Sequence, residues 1–143
     1  MLKSQLLHPE ILRVLGRSGH GARVLIADGN YPVSTASPPA AEKVFLNLMP
    51  GVPTVTEVLQ ALLSAIPVES AMVMVPPDGV RPPIHDKFRS LLPAGVECIG
   101  KSRQDFYEEV KSPNTALLIA TGEQRRFANL LLTIGVVVEG GAL

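Results

Sequence analysis

Gly19-His20-Gly21 is the first place in the chain where chemistry is expected. Glycine on either side frees the backbone and leaves the imidazole uncrowded, and histidine titrates near neutrality, so His20 can give and take a proton at working pH. The structural alternative is a helix-end histidine whose ring bonds the last carbonyls, with the glycines as caps. Asp28 closes an apolar run; at the C-terminal edge of a parallel strand its carboxylate could anchor ligand hydroxyls, or hold and polarise His20 one strand length away. It can equally be a turn aspartate before Gly29. Gly16, Gly19 and Gly21 do not make a dinucleotide fingerprint, because they follow a helix and precede a strand, the reverse of what a pyrophosphate site needs. His8, His20 and His85 lie in separate segments without helical metal spacing, so no metal is expected, and no nucleophile elbow is present.

The elements that position these residues read clearly from periodicity. Helices are expected at His8–Gly16, Thr54–Ile66, Ile84–Leu92 and Arg103–Lys111; Pro9 suits a first helical turn, and Thr54 with Glu57 makes a capping box. Strands are expected at Ala22–Asp28, Lys43–Leu48, Ala71–Val75, Val96–Ile99, Ala116–Thr121 and Ala128–Thr133. The last is ambiguous: Leu130, Leu131 and Ile134 also fit a helix. Gly29–Ala41, with Pro32, Pro38 and Pro39, is a long loop, and long loops beside strand ends often carry function. The alternation predicts the α/β class, a three-layer α/β/α arrangement around a mostly parallel mixed sheet of about six strands. No repeat or linker divides residues 1–143, so one domain is expected.

Composition narrows the partners. The chain is 46% hydrophobic and 18% charged, which argues for a packed core and for apolar surface covered by self-association. Its net charge is +0 with scattered basic residues, so neither a nucleic acid nor a membrane surface is an expected partner. Cys98 stands alone, excluding an intramolecular disulfide framework and a thiolate zinc site, and reads as a small buried strand residue. With no secretory leader and no apolar run near the roughly 20 residues of a membrane span, a cytoplasmic protein is expected. Aromatic residues make up only 4%, so a sugar site here would rely on polar groups.

Gly19-His20-Gly21, the strand ending in Asp28, Arg103-x-x-Phe106-Tyr107-Glu108, and Thr121-Gly122-Glu123 followed by Phe127-x-Asn129 occur in that order, with Gly135-Val136 near the end. In their order and spacing the chain resembles the ribose pyranase and fucose mutarotase family over nearly its whole length. The resemblance implies a cofactor-free isomerase that exchanges the anomers of a free sugar. It also implies a ring-like homo-oligomer, a pentamer-based decamer, with sites at subunit contacts. Carried across, His20 matches the proton donor, Asp28 and Asn129 match substrate-binding positions, and Arg103 matches an arginine of the fucose branch. Tyr31-Pro32 is also similar to the fucose branch, so L-fucose or a similar sugar is the expected substrate. Phe127 departs from the family, standing where a tyrosine is usual; Tyr31, Tyr107 or the backbone at 127 would have to supply the missing contact.

Anomer exchange through the open-chain aldehyde needs one proton delivered to the ring oxygen and another removed from the anomeric hydroxyl; His20 is assigned as the acid at the ring oxygen, Asp28 as its orienting partner or a hydroxyl anchor, Arg103 as a donor to sugar oxygens and Asn129 as a paired donor and acceptor for neighbouring hydroxyls. A ribose pyranase, a non-catalytic sugar-binding or regulatory protein, and a scaffold without a sugar site are the alternatives.

Overall fold

The structure is a computed structural model that describes residues 1–141; the last two residues of the expected 1–143 domain lie outside the described residues. The elements run α1 (Pro9–Gly16), β1 (Arg23–Ala27), β2 (Glu42–Phe45), α2 (Val55–Leu63), β3 (Val68–Met74), α3 (Pro83–Leu91), β4 (Glu97–Lys101), α4 (Arg103–Val110), β5 (Thr115–Ala120) and β6 (Leu130–Ile134). Local chemistry starts the helices as expected. Pro9 opens α1 behind His8, whose Nδ1 accepts the Ile11 amide. At α2 the Thr54 hydroxyl accepts the Glu57 amide at 3.2 Å and the Glu57 carboxylate accepts the Thr54 amide at 2.9 Å.

The strands form one six-stranded sheet in the order β2-β5-β1-β6-β3-β4. Pairings β1–β5, β2–β5 and β3–β4 are parallel, whereas β6 is antiparallel to both β1 and β3. The first five strands therefore point one way, and their C-terminal ends share a sheet edge with the start of β6. That edge gathers Asp28, Arg103 and Asn129.

Side chains alternate between the faces with the period of two that a pleated strand imposes. Val24 and Ile26 join α1, α2 and α3 in one apolar layer, with Leu59, Leu62 and Phe88 fully buried. Leu25 and Ala27 face the other way, onto Phe106 and Val110 of α4 and onto Tyr31, Val33 and Ala36 of the long loop. The result is the expected α/β/α arrangement, with part of one outer layer built by that loop. Element limits differ modestly: β3 begins at Val68, β4 continues to Lys101, and β2 stops at Phe45. Cys98 is half-buried on the edge strand β4, not enclosed.

Candidate active site

Asp28 leaves β1 at the centre of the sheet edge and is buried. One carboxylate oxygen accepts the amides of Asn30 at 3.0 Å and Tyr31 at 2.9 Å, an aspartate turn that starts the long loop. Asn129, also buried, locks the other side: its Oδ1 accepts the Asp28 amide at 2.7 Å and its Nδ2 donates to the second carboxylate oxygen at 3.3 Å. Burial pushes the Asp28 carboxyl above its ordinary value, and the amides of Asn30, Tyr31 and Ala128 offset that only in part.

These two residues line a cavity of about 360 Å³ together with Tyr31, Arg103, Tyr107, Arg126 and Phe127, among others. Arg103 opens α4 behind its Ser102 cap and lies over the Tyr107 ring at 5.7 Å; Arg126 lies over the Phe127 ring at 5.4 Å. Tyr31 and Tyr107 meet edge to face at 5.2 Å. The Tyr31 hydroxyl donates to the Ala36 carbonyl at 2.8 Å, and burial pushes its pKa up, so its proton is committed to the loop and only its oxygen is left to stand in, as an acceptor, for the missing Phe127 hydroxyl. Tyr107 is half-buried at the cavity and remains open to that role.

Phe127 carries a φ of 57°, a left-handed conformation that is strained for an aromatic residue. Its carbonyl is held at 2.9 Å by Nε2 of His85, which is buried and stacked against Phe88. A carbonyl only accepts, so Nε2 carries the proton, and burial lowers the His85 pKa, keeping the ring neutral. Sequence reasoning weighed His85 only as a metal ligand; its place on the buried face of α3 beside Ile84 was the signal for a satisfied core histidine.

The turn before this segment is fixed by packing. A side chain on Gly122 would lie 2.3 Å from the Met49 carbonyl oxygen, so only glycine lets the 49–52 loop close on Thr121-Gly122-Glu123. Glu123, buried, accepts the Val55 amide at the start of α2 and bonds Arg125. Burial works to raise its carboxyl, but Arg125 and the two amides outweigh that and hold it below the ordinary value.

His20 is not in this cavity. It precedes β1, whereas Asp28 follows it, and about 3.3 Å per residue of strand sets the two on the order of 20 Å apart. Asp28 therefore does not orient His20 within one chain. The imidazole is exposed, bonded through Nε2 to Glu69 at 2.9 Å, in a second depression lined by Arg17, Asn114 and Pro113. It does not cap α1, and Gly21, at φ 87°, supplies the left-handed turn that leads into β1. Glu69, the carboxylate partner that sequence reasoning missed, is the one charged residue of β3. Among the described residues no group of three or more His, Cys, Asp or Glu gathers to hold a metal ion, and no helix is long and apolar enough to cross a membrane.

Residues 1–137 match the RbsD / FucU transport protein family. The chain belongs to this family. The fucose mutarotase of Bos taurus is 35% identical, over 92% of this chain and 90% of its own length. The D-ribose pyranase of Aliivibrio fischeri is 30% identical, over 96% of this chain and 99% of its own. The solved structure of Bacillus subtilis RbsD complexed with D-ribose superposes with a TM-score of 0.80 at 25% identity, covering 96% of this chain and all of that one. RbsD / FucU relatives named for a fucose activity and for a ribose activity thus lie at comparable distances.

Proposed function

We propose that the protein is a mutarotase: it exchanges the anomers of a free monosaccharide by general acid-base catalysis without a cofactor. The observation that carries this reading is the buried Asp28–Asn129 pair on a cavity of monosaccharide size, in a chain of the RbsD / FucU family. Arg103 and Tyr31-Pro32 favour L-fucose or a similar sugar, with D-ribose as the alternative substrate.

The exchange breaks the bond between the anomeric carbon and the ring oxygen, passes through the open-chain aldehyde, and closes on the other face. His20 gives the ring oxygen its proton. Asp28, more basic than an ordinary aspartate because it is buried, accepts the proton of the anomeric hydroxyl. Asn129 and Arg103 bind the other hydroxyls. Reclosure reverses both transfers, so atoms and charges balance over the cycle.

Because one chain holds His20 and Asp28 at opposite ends of β1, the His20 that serves a cavity comes from a second copy, with Glu69 orienting its ring. A ring-like homo-oligomer, a pentamer-based decamer, is the assembly that supplies it. The exposed apolar side chains Phe45, Leu48 and Met49 suit burial between copies.

Magnetisation-transfer NMR at anomeric equilibrium on L-fucose and D-ribose tests the reading. Transfer between anomers that is lost in His20→Ala, with the assembly intact, is expected. Shifts that titrate without transfer identify a non-catalytic sugar-binding protein, and no response with any sugar removes the sugar site altogether.

A further inference from the structure

His20 precedes β1 and Glu69 lies in β3, the two strands that flank β6, and the end of β6 fixes the backbone beside both. The Ile134 carbonyl accepts the Gly21 amide at 2.9 Å, and the Gly135 amide donates to the Pro67 carbonyl at 2.9 Å. In the β3–β6 ladder Val68 pairs with Ile134 and Ser70 with Thr133, so two steps along β3 meet one step along β6. Glu69 is the extra residue of that bulge, and a bulge re-aims a side chain that a regular ladder would point elsewhere. A side chain on Gly135 would lie 3.3 Å from the Glu69 Cβ, tighter than ordinary contact, so glycine lets the chain leave β6 close beside the bulge. The re-aimed carboxylate meets Nε2 of His20 at 2.9 Å.

We infer that Glu69 selects the nitrogen of His20 that does the chemistry: Nε2 keeps its proton on the Glu69 carboxylate, and Nδ1 exchanges a proton with the sugar. Glu69 is thereby a positioning residue, acting through the imidazole without touching the substrate. The inference rests on the mutarotase reading and deepens it by naming the reacting atom.

A carboxylate accepts and does not donate, so this hydrogen bond places a proton on Nε2 and sets the tautomer. Among the described residues Nδ1 makes no hydrogen bond, and it is the nitrogen left for a ligand. Arg17, the cation in the same depression, is held by Glu42 and does not compete for Glu69. In the imidazolium both nitrogens carry protons. Nδ1 gives its proton to the ring oxygen as the bond between that oxygen and the anomeric carbon breaks, and reclosure returns it. The neutral ring in between is the Nε2–H tautomer that Glu69 already holds, so the imidazole neither turns nor moves its second proton within a turnover. Both side chains are largely exposed in the single chain, and an exposed pair adds little stability. What the pair fixes is the orientation and tautomer of the ring.

The experiment measures anomer exchange of L-fucose and D-ribose by magnetisation-transfer NMR on the full-length protein and its variants, with assembly checked by native mass spectrometry. Glu69→Ala releases the ring, and kcat should fall about ten- to a hundredfold. KM should stay within about twofold, because the residues that bind the hydroxyls are untouched. Glu69→Gln should recover part of the loss, since its amide oxygen still accepts from Nε2. A second probe leaves Glu69 in place: Nδ1-methylhistidine at position 20 keeps the Nε2 bond, blocks Nδ1 and should exchange neither sugar. That probe decides the point even where Glu69→Ala does not assemble. An unchanged kcat in Glu69→Ala, a loss confined to KM, or a Glu69→Gln protein no better than Glu69→Ala would overturn the positioning role. Exchange retained with the methylated ring would make Nε2 the reacting atom and overturn the inference. Each of these results leaves the mutarotase reading standing, whereas wild-type protein that exchanges neither sugar would sink both.

Discussion

Asn129 grips Asp28 twice, accepting its backbone amide at 2.7 Å and donating to its carboxylate at 3.3 Å. The bond to the amide continues the β1–β6 pairing one step past Ile26 and Leu130, so a side chain takes over where the ladder ends. Replacing Asn129 by alanine strands a buried N–H and frees the carboxylate to move. We expect a loss of about 1–3 kcal/mol in urea denaturation together with loss of anomer exchange. A stable, fully active Asn129→Ala protein would show that the pair is neither structural nor functional.

His85 reaches the same segment from beneath. Its proton on Nε2 pins the carbonyl of the left-handed Phe127, which sets where the Phe127 ring and Asn129 face the cavity. His85→Phe keeps the stacking against Phe88 and removes the donor. Misplacement of a positioning segment by a fraction of an ångström to one ångström costs about ten- to a hundredfold in kcat/KM. We expect that loss to appear mainly in KM, with a normal circular dichroism spectrum. An unchanged KM would reduce His85 to core packing.

Asp28 and Glu123 shift in opposite directions, and stability should record both. The Asp28 value is raised, so the folded state holds that proton more tightly than the unfolded chain; its favourable contribution is present at low pH and is lost as pH rises from about 4 through the folded value. The Glu123 value is lowered, so its contribution is complete above the ordinary value and is lost as pH falls from about 4 through the folded value. Urea denaturation across acidic pH should show Asp28→Asn flattening the loss on the upper side and Glu123→Gln flattening the loss on the lower side. Opposite assignments of the two variants would contradict the burial of Asp28 or the hold of Arg125 on Glu123.

Much of this architecture was legible in the chain. The capping box at Thr54 and Glu57, Pro9 at a helix start, and six apolar runs between amphipathic stretches produced the elements and the layers. What periodicity does not encode is strand direction: nothing in Leu130–Ile134 tells that β6 runs against its neighbours. That reversal brings Asn129 to Asp28, a hundred residues apart in the chain, and carries the C-terminal end of β6 to the His20 edge, where the Gly21 amide donates to the Ile134 carbonyl. His20 and Asp28 look close in sequence, yet an extended strand is the element that separates neighbours fastest. Glu69 and Arg126 escaped notice because a charge on a strand or loop reads as a solvated surface group until its partners, or their absence, are known.

The division of the site between two ends of β1 yields a direct test. His20→Ala and Asp28→Asn should each abolish exchange alone, since every pocket then lacks either the proton donor or the strand-end carboxylate. His20 is exposed, so its removal should leave the melting temperature nearly unchanged. If each pocket joins His20 of one copy to Asp28 of another, a mixed oligomer regains intact pockets wherever an Asp28→Asn copy lends its His20 to a His20→Ala copy. Random assembly of an equal mixture makes about one pocket in four intact, so roughly a quarter of the wild-type transfer should return after co-refolding. A site built within one chain cannot be rescued this way, and a mixture that stays silent despite verified mixed assembly by native mass spectrometry would refute the shared pocket.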